Sequence, residues 1–220
     1  NLPMALPRIK ICCISSVEEA RMAVAAGASA LGFVGPMPSG PGVIRNELIP
    51  EIIRTVPPPV ATFLLSSETT HEGLASHQKL AHANTLQIVD HVPLHLFPLL
   101  REALPHVKLV QVVHVLNEAS VEEALAYAAH ADALLLDSGN PHLKVKVLGG
   151  TGTTHDWTLS RKIVEQAAIP VFLAGGLTPG NVRQALDQVN PYGLDVCSGV
   201  RTNGRLDPRE LEAFFLAAGY

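Results

Sequence analysis

A chain of 220 residues with 47% hydrophobic residues can bury a full core, and that length suits one α/β barrel as readily as two small domains. A formal net charge of -4, with 16% charged residues and no basic block, leaves no electrostatic footprint for nucleic acid or an anionic membrane surface. No apolar run approaches the ~20 residues that span a bilayer, and "NLPMALPRIK" lacks the regions of a secretory signal, so a cytoplasmic protein acting on a small soluble ligand is expected.

One pattern repeats along the chain: a short apolar or β-branched run, a small or polar cap, an amphipathic Ala/Leu/Glu-rich segment, and a turn. The strand "RIKICC" (8–13) puts Lys10 and Cys12 on one face and Ile9 and Ile11 on the other, ahead of a helix over 17–26. "ALGFV" (30–34) leads through "GPMPSGPGVI" to a helix over 47–56, and "PVATFLL" (59–65) to one over 71–83. "TLQIV" (85–89), carrying Gln87, precedes a helix over 94–104, and "VKLVQVVHV" (107–115) one over 120–130. "DALLLD" (132–137) ends on Asp137, and "LGGTGTTHDW", with Gly150, Thr151 and Gly152, runs into a helix over 157–167. "PVFLA" (170–174) is followed by Gly175, Gly176 and a helix over 179–189. "GLDVCS" (193–198), with Asp195 and Cys197 on one face, is followed by Ser198, Gly199 and a helix over 207–218.

Eight strand-then-helix units predict a closed parallel (βα)8 TIM barrel, with a doubly wound open sheet as the alternative. No linker or shift in composition divides residues 1–220, so one domain is expected. Barrels of this kind keep their chemistry at the carboxyl ends of the strands and in the loops beyond. Lys10, Cys12, Asp137 and Asp195 therefore face the barrel interior at or near the productive end. An ionised carboxylate there needs a partner or a raised pKa.

Cys12, Cys13 and Cys197 are an odd number of thiols with no C-x-x-C spacing, which argues against a disulfide framework and a zinc site. His91 and His95 are the nearest pair among ten histidines, but Pro93 interrupts the helix that would align them as ligands. Neither metal nor cofactor is expected. The glycines after the seventh and eighth strands let backbone amides approach an anion closely, so Gly175, Gly176, Ser198 and Gly199 are candidate phosphate ligands. The cluster around Gly150, Thr151 and Gly152 lacks the Lys-Ser/Thr of a P-loop and is expected to cover the ligand.

Together, "KIC", "ALGFV", "LLLDS", "GGTG" followed by "DW", "LAGGLTPGNV" and "DVCSGV" resemble, in order and over nearly the whole chain, the phosphoribosylanthranilate isomerases of tryptophan biosynthesis. The resemblance implies an αβ barrel that performs an Amadori rearrangement of a phosphoribosyl amine, with Cys12 as general base and Asp137 as general acid. The residue types suit those roles: a carboxylic acid can protonate a furanose ring oxygen, and a thiolate, favoured by a cation such as Lys10, can take a proton from the next carbon.

The departures from that family fall at one end of the ligand. Pro41 stands near the family's carboxylate-holding arginine; Gln87 is kept while the histidine two residues on is lost; Cys13 replaces a glycine; and Arg201 replaces a glutamate. Arg45 and Arg201 are the basic residues near enough to compensate, although Arg45 is expected on the surface and Arg201 could instead pair with Asp207. Weak or absent turnover of phosphoribosylanthranilate itself is therefore expected, with a better substrate lacking an ortho-carboxylate on its amine part. The remaining alternatives are a phosphate-binding or regulatory barrel without turnover and, less favoured, a Schiff-base role for Lys10. The partner expected is a phosphorylated small molecule, with neither nucleic acid nor membrane, and the chain is expected to act as a monomer or homodimer.

Overall fold

The computed structural model describes residues 6–137 and 157–220, so Gly150, Thr151 and Gly152 lie outside the described residues. Eight parallel strands close into a barrel in chain order: β1 (Arg8–Ile11), β2 (Ala30–Val34), β3 (Ala61–Ser66), β4 (Thr85–Ile88), β5 (Lys108–His114), β6 (Ala133–Asp137), β7 (Val171–Ala174) and β8 (Gly193–Val196). The closing seam sets Lys10 opposite Asp195 and Ile11 opposite Val196. The helices are α1 (Val17–Ala26), α2 (Leu48–Ile53), α3 (His71–Ala81), α4 (Leu96–Ala103), α5 (Glu118–Ala128), α6 (Trp157–Gln166), α7 (Val182–Val189) and α8 (Pro208–Ala218). The closed barrel, not the open sheet, is the architecture. No helix of the described residues is long and apolar enough to cross a membrane.

Strand faces follow the alternation, one face meeting the helices and the other the barrel interior. On β2, Leu31 and Phe33 join the main core under the helices, whereas Ala30 and Val34 join a separate cluster inside the barrel with Phe63, Leu65, Val110, Val112, Leu135 and Phe172. Both faces of the sheet are thus covered, so β2 is buried along its whole length.

The ends of the elements differ from expectation for local reasons. The helix expected from 120 starts at Glu118, because the Asn117 side chain accepts from the Ala119 amide and Ser120 completes a capping box. The helix expected from 179 starts at Val182, because Asn181 ties the preceding loop by accepting from the Thr178 amide at 2.8 Å and donating to the Gly176 carbonyl at 2.9 Å. After β8 the chain makes a 3-10 turn (Ser198–Val200) and a short hairpin of β9 (Arg201–Thr202) and β10 (Arg205–Leu206).

A buried imidazole joins three of these elements. His77 of α3 lies 2.7 Å from the Ser66 hydroxyl at the end of β3 and 3.0 Å from Asn46 Oδ1 ahead of α2. The amide oxygen accepts only from a ring N–H, which fixes Nε2–H as the donor and Nδ1 as the acceptor from Ser66. Burial holds the His77 pKa below its ordinary value, with the Glu68 carboxylate offsetting this only in part. The folded state therefore binds this proton less readily than the unfolded chain. The stabilisation is fully present above the unfolded pKa of about 6.5 and shrinks as pH falls through the folded value. His77→Leu, which strands Ser66 and Asn46, is expected to cost about 1–3 kcal/mol at pH 7.5, with the gap to wild type narrowing below about pH 6.5 in urea titrations.

Candidate active site

The carboxyl end of β1 carries the densest chemistry. Lys10 points into the barrel with no exposed surface, and its Nζ lies 2.8 Å from Asp195 Oδ1 on the neighbouring strand and 5.3 Å from the centre of the Phe63 ring. Burial alone would lower the Lys10 pKa, but the Asp195 carboxylate and then Cys12 outweigh it and hold the ammonium above its usual range. A Schiff-base lysine must be a neutral nucleophile, so this fixed cation does not suit that role.

Cys12 follows directly, 4% exposed, with its amide donating to the Val196 carbonyl at 2.9 Å. A methyl group on Gly32 would lie 2.8 Å from Cys12 Sγ and 2.9 Å from Lys10 Nζ. The missing side chain at Gly32 is what lets sulfur and ammonium converge. A fixed positive charge then stabilises any negative charge on the sulfur.

Cys13 turns the corner in the left-handed region (φ 62), which explains the glycine that the resemblance leads one to expect there. Its thiol donates to the Pro41 carbonyl across 3.7 Å. Hydrogen bonds with Cys12 and Cys197, and then burial, push the Cys13 pKa far up, so it stays a neutral thiol. Cys197 is half-buried, and its pKa is lowered by the hydrogen bond from Cys13 against the opposing effect of burial, with Arg201 adding to the lowering. All three cysteines are free thiols.

Arg201 holds this corner from below and does not pair with Asp207. One guanidinium nitrogen lies 2.8 Å from Glu19 Oε1, and the other donates to the carbonyls of Cys12 at 3.2 Å and Cys13 at 2.7 Å. Glu19 also accepts from the amides of Ser15 and Leu206, each at 3.0 Å. Burial would raise the Glu19 pKa, but Arg201 and these amides bring it below the usual value. Asp207 instead accepts from the Thr202 hydroxyl at 2.6 Å and caps α8. Arg45 is exposed, as expected.

Asp137 ends β6 on the inner face, its side chain 36% exposed, with Oδ2 3.6 Å from Nδ1 of His114 on β5. Gln87 is 2% exposed on the inner face of β4, and its Oε1 has no hydrogen-bond partner among the described residues. Beyond β7, Gly175 (φ 95) and Gly176 (φ 67) take backbone that disfavours other residues. A methyl group on Gly199 would fall 1.9 Å from the Leu177 carbonyl oxygen, so the loops after β7 and β8 pack backbone against backbone. Sequence reasoning missed Glu19 and His114. Glu19 lies 182 residues from its arginine and left no local signal, whereas His114 shares the inner face of β5 with Val110 and Val112 and was accessible to the same alternation.

A family model of N-(5'-phosphoribosyl)anthranilate (PRA) isomerase matches residues 9–217. The chain is 34% identical over 209 residues to a Methanosarcina mazei protein named N-(5'-phosphoribosyl)anthranilate isomerase 2, covering 94% of this chain and 92% of that one. A crystal structure of phosphoribosyl anthranilate isomerase from Thermotoga maritima superposes with a TM-score of 0.83 at 31% identity, covering 96% of this chain and 98% of that one. A second structure of such an isomerase, in complex with reduced 1-(o-carboxyphenylamino)-1-deoxyribulose 5-phosphate, gives a TM-score of 0.80 at 30% identity with the same coverage.

The ion pair below Cys12 has a measurable signature. Lys10→Met strands the Asp195 carboxylate and is expected to lower unfolding free energy by about 3–5 kcal/mol in urea, while Lys10→Met combined with Asp195→Leu recovers most of the loss.

Proposed function

The chain belongs to the phosphoribosylanthranilate isomerase family and is an aldose–ketose isomerase, and on that premise we propose that it converts phosphoribosylanthranilate to the aminodeoxyribulose phosphate with Cys12 as general base and Asp137 as general acid. The observation that carries the reading is the convergence of Cys12 Sγ and the Lys10 ammonium on the space left by Gly32, inside a barrel whose sixth strand ends on an inward Asp137.

Asp137 gives its proton to the furanose ring oxygen as the bond from that oxygen to C1 breaks, leaving an iminium between C1 and the amine nitrogen. Cys12 then removes the proton on C2, and the electrons of that bond form the C1–C2 double bond as the iminium nitrogen is neutralised. Return of a proton to C1 and loss of the C2 hydroxyl proton give the ketone, so atoms and charge balance with no cofactor. The Lys10 ammonium lies beside the sulfur, at the space left by Gly32. Cys13, held neutral, is unsuited to the task.

The ligand's phosphate lies, on this reading, against backbone amides around Gly176 and Gly199 with help from the Ser198 hydroxyl. Gln87, with its buried acceptor, is a candidate for a sugar hydroxyl. Lys10, Asp195 and Arg201 act through the geometry and field of the Cys12 corner and not by touching the ligand. Weak or absent turnover, and a better substrate without the ortho-carboxylate, were expected from the sequence because a loop arginine is missing. Family membership over nearly the whole chain outweighs that expectation and favours phosphoribosylanthranilate as the substrate.

Cys12→Ser and Asp137→Asn are each expected to lower kcat by about 100-fold or more with unchanged thermal unfolding, while Cys197→Ser stays near wild type. Near-normal rates in both of the first two variants would leave a phosphate-binding barrel without this chemistry, and loss confined to Cys197→Ser would move the base to the other thiol. Gly176→Val is expected to raise KM while leaving kcat within a few-fold, and inorganic phosphate should compete weakly; an unchanged KM would remove the loop from the phosphate site.

A further inference from the structure

Two of the three thiols at the corner after β1 take no part in the reaction proposed above. β1 and β8 run side by side in register, Ile11 opposite Val196, so Cys12 and Cys13 leave one strand next to the point where Cys197 leaves the other. Neighbouring strands lie ~4.8 Å apart, inside the ~4.4–6.8 Å between Cα atoms that a disulfide spans. Cys12 turns inward to Lys10 and Gly32, whereas Cys13 turns to the loop after β2, its sulfur 3.7 Å from the Pro41 carbonyl. Cys13 also hydrogen-bonds with Cys197, the half-buried member of the group, while Cys12 and Cys13 are buried. Among the described residues no three such side chains are placed to hold a metal ion, and the chemistry open to the pair is that of thiols.

The two sulfurs are unequal in the way that a directed oxidation needs. The hydrogen bond from Cys13 holds the Cys197 pKa down against burial, and the Arg201 guanidinium adds to the lowering. A thiol of that kind, open to solvent on one side, meets an oxidant first, and a neutral thiol already donating to it is placed to resolve the product. We propose that Cys13 and Cys197 form a redox modification site: a hydroperoxide oxidises Cys197, Cys13 closes a disulfide onto it, and the bond holds the enzyme in a low-turnover state until a thiol reductant opens it.

The Cys197 thiolate attacks one peroxide oxygen, the O–O bond breaks, and the leaving oxygen takes a proton from solvent, so that Cys197 becomes a sulfenic acid. The Cys13 sulfur then attacks the Cys197 sulfur, the S–O bond breaks, and hydroxide leaves as water with the Cys13 proton. The two thiols are oxidised by two electrons, which reduce the peroxide. Closure draws the Cys13 side chain from Pro41 toward β8 and shifts the backbone that presents Cys12, where Arg201 holds both carbonyls. A displacement on the order of 1 Å at a reacting group can cost about 100-fold in rate. The effect on turnover rests on Cys12 as the general base, whereas the bond itself does not.

Treatment with hydrogen peroxide, followed by denaturation and alkylation, tests the site. Free thiols should fall from three to one, peptide mapping should join Cys13 to Cys197, and dithiothreitol should restore all three. With the bond kcat should fall about tenfold or more, and it should return with the reductant. Cys197→Ser should keep its unoxidised turnover, form no bond and lose little activity at the same peroxide dose. Cys13→Gly, which suits the φ of 62, removes the resolving thiol, so Cys197 should be trapped as a sulfenic acid by dimedone. Absence of a bond, or a bond that includes Cys12, would overturn the site; turnover unchanged by the bond, or falling equally in Cys197→Ser, would overturn its control of the enzyme. A chain without turnover before oxidation would instead strike the proposed function, and the thiol count would still decide the site.

Discussion

The ion pair of Lys10 and Asp195, 2.8 Å apart across the seam that closes the barrel, is the contact on which the site depends. A lysine with no exposed surface is costly to desolvate, and apolar side chains of similar size would hold β1 to β8 as well or better. What apolar side chains cannot supply is a permanent positive charge next to Cys12 in a water-poor interior, where such charges act strongly. Asp195 keeps the ammonium charged, Gly32 leaves room for the sulfur to meet it, and the Phe63 ring faces the same cation.

A second ion pair fixes the backbone that presents the sulfur. Arg201 binds the carbonyls of Cys12 and Cys13 and is itself gripped by Glu19 of α1, whose carboxylate also takes amides from the loop before its helix and from β10. The turn after β1 includes a non-glycine residue at φ 62, a conformation of modest cost that surrounding contacts must impose. Two buried pairs with different tasks thus stand close together: one places a fixed cation beside the sulfur, the other holds the backbone that carries it. This also explains why an arginine after β8 belongs to the scaffold of the site although it lies beside the phosphate loop.

Much of this was legible in the residues. Alternation alone turned Lys10 and Cys12 inward, and the inward Asp137 followed from "DALLLD" in the same way. The repeated grammar of strand, cap and helix was enough for the barrel, because each strand is buried on both faces and each helix on one. Less legible were features that depend on closure. The Arg201–Glu19 pair joins residues 182 positions apart, the bridge through His77 needs three elements assembled, and the start of α5 was set by an asparagine cap three residues before the expected helix. Gly32 and His114 lay on inner faces that the alternation already defined, but a glycine in a strand and a histidine at its end announce nothing until their neighbours across the barrel are known.

On the proposed reading one ligand spans the mouth, with its phosphate at the loops after β7 and β8 and its reacting carbons between Cys12 and Asp137. A crystal structure of this chain with reduced 1-(o-carboxyphenylamino)-1-deoxyribulose 5-phosphate tests that arrangement most directly. C2 of the ligand is expected at roughly 3–4 Å from Cys12 Sγ, near reacting distance, with Asp137 against the oxygen derived from the ring and the phosphate on the amides near Gly176 and Gly199. A ligand lying with its C2 turned away from Cys12, or with its phosphate between β5 and α5, would contradict it.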